Sequence, residues 1–157
     1  MVVIAAALCV AGALAAWRVL GAREAAPAVS YTLLDGSKSS TEAQRGKVLL
    51  VNFWATSCVA CVAEMPQIVS THRKFEARGY ETVAVAMDYD QPAAVARFAQ
   101  SRALPFGVAF DKGGEVARAF GDVKLTPTTF LIDKQGRIVK RYLGAPEFAA
   151  LAQLIGE

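Results

Sequence analysis

The chain has 157 residues, room for one domain with a hydrophobic core and too few for two of ordinary size. Seventeen basic and fourteen acidic residues leave a net charge of +3. The lysines and arginines occur in ones and twos, without the stripe or tail that follows a phosphate backbone, so nucleic acid is excluded as a partner. Hydrophobic residues reach 54%, and much of that excess sits in the first twenty positions.

From Met1 to Trp17 there is no charged residue, and Arg18 and Arg23 follow. A spanning helix needs about 20 apolar residues and a signal-peptide core about 7 to 15, so residues 1–23 read as a membrane anchor or signal peptide. A buried amphipathic helix would need a polar face, and this stretch has none. Ala11-Gly12-Ala13 and Ala13-Leu14-Ala15 fit a small-x-small cleavage site, a pattern that alanine-rich sequence also makes by chance. Taken alone, the positive-inside rule would hold the domain in the cytoplasm, because both arginines flank the C-terminal side; a basic segment upstream of this start would reverse that. Cys9 lies in the apolar run and reads as a passive membrane-helix cysteine, since Leu8 before it does not suit a lipoprotein acceptor.

Residues 24–28 are an Ala/Pro linker, and the folded domain is expected over 29–157. A short strand at 29–34 ends at Asp35-Gly36, and a polar connection runs through Arg45-Gly46-Lys47. Residues 48–54 form a continuous β-branched and aromatic run, too short for a helix, which predicts a strand buried on both faces. After Cys58 the apolar period becomes helical through Val62, Met65, Ile68, Val69 and Phe75, with Pro66 inside and Gly79 as the stop. A strand is predicted at 80–87, a helix at 91–102 opened near Asp90 and Pro92, a strand at 106–110 and a short helix at 114–120. Residues 128–133 and 137–142 flank Lys134-Gln135-Gly136 as a hairpin, and 146–155 form a terminal amphipathic helix. The predicted order β-β-α-β-α-β-α-β-β-α is that of an α/β sandwich with a mixed sheet.

Cys58-Val59-Ala60-Cys61 joins the buried strand to the long helix. Two cysteines three apart at a helix N-terminus can close a disulfide within one turn, and the free amides and helix dipole favour a thiolate on the first. Cys58 is then the attacking thiol and Cys61 the one that resolves the mixed disulfide. A zinc site would need two further ligands, and the rest of the chain offers Cys9 and the single His72, so no metal is assigned. A passive structural disulfide is the other reading, and the strand-to-helix position favours reactivity over it. His72, alone and far along the helix, reads as a surface or helix-packing residue.

The block from Val51 to Pro66, VNFWATSCVACVAEMP, resembles the active-site segment of the membrane-anchored TlpA/ResA branch of the thioredoxin superfamily. The likeness runs from about Val29 to the C-terminus, taking in Asp35-Gly36, Arg45-Gly46-Lys47, an extra strand-helix unit around 80–104, and Thr126-Pro127-Thr128-Thr129-Phe130-Leu131-Ile132-Asp133. It implies a thioredoxin-like α/β fold: a mixed central sheet flanked by helices, with a strand-helix insertion. It also implies that Pro127 is a cis-proline beside the active site and that Thr126 offers backbone groups to an extended substrate. Where cytoplasmic thioredoxin carries a buried aspartate this chain has Asn52, which cannot accept the proton Cys61 must lose. Glu64, one turn beyond Cys61, resembles the active-site glutamate of the ResA group and is expected to relay that proton with a raised pKa; an exposed helical glutamate is the alternative. Ser57 replaces the tryptophan usual before the first cysteine, leaving Trp54 as the aromatic cover and substrate contact. Val59-Ala60 lacks the proline or histidine common between such cysteines.

The resemblance implies an envelope reductase on the inner membrane, its domain facing the periplasm or cell exterior, or secreted to the periplasm if the leader is cut. Its partners would be protein thiols and disulfides, apocytochrome c among them, and a membrane thiol-electron donor; no cofactor is implied. Two rivals share the fold. A peroxidase would carry threonine three residues before its cysteine, where this chain has Ala55, and a copper chaperone would use a wider cysteine spacing with a histidine, for which His72 is a poor candidate.

Overall fold

A computed structural model describes residues 23–156, so the apolar leader and Cys9 lie outside the described residues. The chain forms β1 (Ser30–Thr32), β2 (Lys38–Ser40), β3 (Val48–Trp54), α1 (Val59–Phe75), β4 (Tyr80–Ala86), α2 (Pro92–Ser101), β5 (Gly107–Phe110), α3 (Glu115–Ala119), β6 (Thr128–Ile132), β7 (Ile138–Leu143) and α4 (Phe148–Gly156). Five strands make the main sheet in the order β5-β4-β3-β6-β7. β3 pairs parallel with β4 and antiparallel with β6, so the strand predicted to be buried on both faces is the central one. The thioredoxin-like mixed sheet with flanking helices is therefore present, and β4 with α2 forms the expected strand-helix unit.

Alternation along β3 sorts its side chains. Leu49, Val51 and Phe53 join one apolar cluster with Val116, Phe120 and Phe130, while Leu50 and Trp54 join the other with Ile68, Val95 and Leu151 of α1, α2 and α4. Asn52, between Leu50 and Trp54 in this alternation, therefore faces α1. On that helix Cys61, Glu64, Met65, Ile68, His72 and Phe75 are buried at the three- and four-residue spacing of a single face.

Two expectations at the N-terminal side are corrected. The predicted single strand at 29–34 is a hairpin with β2, whose Lys-Ser-Ser sequence carries no apolar pattern; Asp35 sets the turn by accepting from the N–H and hydroxyl of Ser37 at 2.9 and 2.6 Å. Residues 24–28, expected as a linker, lie along the sheet. Glu24 O accepts from the Ile138 N–H at 2.7 Å, the Ala26 N–H donates to Gly136 O at 2.9 Å, and Pro27 O accepts from the Thr41 hydroxyl at 2.6 Å. Backbone pairing needs no particular side chain, so composition did not register it. No helix among the described residues is long and apolar enough to cross a membrane.

Candidate active site

Parallel pairing of β3 with β4 brings both C-terminal ends to one edge of the sheet, with Trp54 opposite Ala86, and the Met87 N–H extends the ladder to Trp54 O at 3.0 Å. The chain leaving β3 turns there: the Cys58 N–H donates to Ala55 O at 3.1 Å, and α1 starts at Val59 with Cys58 as its N-cap. Cys58 Sγ accepts from the Cys61 N–H at 3.2 Å, the position in which backbone donors and the helix dipole stabilise a thiolate. Cys58 and Cys61 are joined as a disulfide with a Cα–Cα distance of 5.2 Å. Their surroundings differ: Cys61 is fully buried, while Cys58 is half-buried and followed by Val59, which is 84% exposed.

Behind Cys61 lies a buried polar chain drawn from three elements. The Asn52 amide donates to Glu64 Oε1 at 2.9 Å and is 2.9 Å from the Thr129 hydroxyl; β3–β6 pairing sets Asn52 directly opposite Thr129. Glu64 is 3% exposed, and its second oxygen has no hydrogen-bond partner among the described residues. Burial therefore favours the neutral acid and raises its pKa to about 7, although the Asn52 hydrogen bond pulls in the other direction. The exposed-glutamate alternative is removed.

Before β6, the Thr126–Pro127 bond is cis, as the resemblance implies. Pro127 is buried, and its carbonyl accepts from the Gly144 N–H at 2.9 Å. Among the described residues, neither the N–H nor the C=O of half-buried Thr126 pairs with another backbone group. Since Phe53 pairs with Thr128, Pro127 follows in register beside Trp54 and the turn into Cys58.

Trp54 departs from expectation. It is fully buried, its ring tilted against that of Phe98 of α2 with centroids 5.1 Å apart, and belongs to the cluster that contains Cys61. As the last residue on the α1 face of β3 it supports the disulfide from beneath, and its indole is out of a protein substrate's reach. His72 is a helix-packing residue, buried against Phe106 at 5.3 Å with Nδ1 3.2 Å from the Thr82 hydroxyl. Sequence reasoning missed Thr129 and the Thr56, Tyr89 and Asp90 contacts. The signal for Thr129 was a pair of polar residues, Thr128 and Thr129, opening a strand that is otherwise apolar; among the loop residues Asp90 signalled only the start of a helix.

The redoxin family pattern matches residues 22–155. The chain is similar to the thiol-disulfide oxidoreductase ResA of Bacillus thuringiensis subsp. konkukian, 38% identical over 119 residues, covering 76% of this chain and 68% of the relative. It is 34% identical over 123 residues to the ResA of Bacillus subtilis strain 168, covering 77% and 68%. Among solved structures it resembles a thiol:disulfide interchange protein of the thioredoxin family from Chlorobium tepidum TLS, with a TM-score of 0.78 at 27% identity over 86% of this chain and 95% of that one.

Proposed function

Because the chain belongs to the redoxin family and is a protein-disulfide reductase of the ResA thiol-disulfide oxidoreductase type, we propose that it reduces disulfides of exported proteins through Cys58 and Cys61, with Glu64 moving the proton. The observation that carries this reading is the graded burial of the pair over a buried acid: Cys58 half-open at a helix N-terminus, Cys61 enclosed, Glu64 one turn behind it.

The sequence of events follows from that geometry. The Cys58 thiolate attacks one sulfur of a substrate disulfide; that bond breaks, and the other substrate sulfur leaves as a thiolate. Cys61, as a thiolate, then attacks Cys58 Sγ, forming the Cys58–Cys61 disulfide and freeing the second substrate thiol. Two electrons have passed from the protein to the substrate. Cys61 is a thiol in a dry setting and must lose its proton for the second attack. A carboxyl group held near neutral pKa is matched to taking it and releasing it later. Thr126, whose backbone N–H and C=O pair with no other backbone group among the described residues, lies beside Pro127 and is suited to align an extended substrate strand.

The substrate favoured by the ResA likeness is an apocytochrome c segment of the form Cys-x-x-Cys-His, whose cysteines must be thiols before haem joins them. A membrane thiol donor would return Cys58 and Cys61 to the dithiol. Residues 1–23 would tether the domain to the outer face of the inner membrane, or be removed on export to the periplasm, with the domain beginning where residue 24 joins the sheet. Reduced full-length protein mixed with an oxidised Cys-x-x-Cys-His peptide should yield two peptide thiols per protein disulfide formed, faster than with insulin. A rate equal to or below that for insulin would remove this client class.

A further inference from the structure

The connection between β4 and α2, residues 87–91, reaches both halves of the exchange site. Asp90 accepts from the backbone N–H of Thr56 and, at 2.6 Å, from the Thr56 hydroxyl, two residues before Cys58. Asp90 is itself fixed: its N–H donates to Met87 O at 3.0 Å, and its carboxylate accepts the Gln91 N–H at 2.8 Å at the entrance to α2. The adjacent Tyr89 places its hydroxyl 3.2 Å from that of Thr126, on the cis-proline side. Tyr89 is 57% exposed, and its contact with Thr126 lies on the surface. This loop therefore ties to the segment before the attacking cysteine with one residue and to the segment before Pro127 with the next.

The geometry points to Asp90 and Tyr89 as positioning residues of the reductase: Asp90 holds Cys58 in reach of Cys61, and Tyr89 holds Thr126 in the orientation that receives substrate backbone. Asp90 accepts two hydrogen bonds from a single residue at the point where the chain leaves β3 for α1, which restricts where Cys58 can go in the open dithiol. A pair held together before it closes has a high effective concentration and forms its disulfide more readily. Tyr89 touches neither cysteine. It acts through Thr126, whose N–H and C=O, unpaired with backbone among the described residues, matter for an extended polypeptide and not for a small disulfide.

The clamp rests on the reductase reading, and its test separates the two. The equilibrium of the full-length protein with reduced and oxidised glutathione gives the effective concentration of the pair. In it the protein disulfide forms as glutathione disulfide is split into two thiols. Asp90→Asn removes the charge and keeps an acceptor for Thr56, whereas Asp90→Ala removes both. Both variants lose the same charge, so the difference between them isolates the clamp. The constant for Asp90→Ala should lie about tenfold below that for Asp90→Asn, equivalent to about 30 mV. Thr56→Val, which deletes one of the two bonds from the other side, should lower it about threefold. Equal constants for the two Asp90 variants, or wild-type values for Asp90→Ala and Thr56→Val, would overturn the role of Asp90. For Tyr89→Phe, the ratio of kcat/KM for insulin to the rate with 5,5′-dithiobis(2-nitrobenzoate) should fall about fivefold, mainly through KM; a wild-type ratio sinks that role. A wild-type protein that does not reduce insulin would instead count against the reductase reading, and the glutathione equilibrium would still test Asp90.

Discussion

The two halves of the exchange site differ in what surrounds each cysteine. The outer half is half-open: Cys58 at the start of α1, exposed Val59 beside it, and Leu125 before Thr126, 69% exposed. The inner half is closed: Cys61 and Asn52 fully buried, with Glu64 and Thr129 nearly so. The outer sulfur can meet a macromolecule but has no buried acid to manage its proton; the inner one has the acid and no route to a substrate. The difference assigns attack to one and resolution to the other, and makes the inner half sensitive to pH.

The largest effect expected from breaking this division is at the outer sulfur. Cys58→Ser should abolish insulin reduction, whereas Cys61→Ser should still attack and then stall as a mixed disulfide, visible as a mass increase equal to the bound substrate chain. Next comes the inner acid. Glu64→Gln should slow turnover by about 10²-fold or more and remove the inflection near pH 7 from the rate profile, measured by insulin reduction across pH 5 to 9. An unchanged profile would return Glu64 to a packing role.

Asn52→Ala should destabilise the fold by about 2 kcal/mol in urea titrations, since it empties a buried site and strips a hydrogen bond from Glu64 and Thr129. It should also move the Glu64 pKa further upward, because the Asn52 hydrogen bond acts to lower it. The smallest effect is on stability against pH. Folding raises the Glu64 pKa from 4.5 to about 7, so across that interval the folded protein holds a proton that the unfolded chain has released. That stabilisation is complete below the unfolded value and is lost as pH rises through 7, a fall on the order of 1 kcal/mol between pH 5 and 8 after allowing for solvent screening. Glu64→Gln should flatten it.

The sequence made the inner half legible to different depths. The apolar run at 48–54 and the helical period of Val62, Met65, Ile68, Val69 and Phe75 place strand and helix, whereas Glu64 is singled out only by the family resemblance, since its spacing fits an exposed glutamate equally well, and its burial is visible only in the structure. The link from Asn52 to Thr129 was not readable, since it depends on antiparallel register between strands 77 residues apart in sequence. Trp54 was misplaced because a residue four before a cysteine can cover it or underlie it, and only the side of the sheet that it faces decides. Asp90 reads in the sequence only as the opening of the helix at 91–102, and Tyr89 carries no local signal; they acquire their contacts at the active site because β4 ends beside β3. The β1–β2 hairpin escaped because three polar residues made its second strand.

The division of labour is tested most directly by brief alkylation of the reduced full-length protein with iodoacetamide at neutral pH, followed by peptide mapping. Cys58 should be carbamidomethylated first, and Cys61 should react only after unfolding. Cys61 labelled as fast as Cys58 would contradict that division.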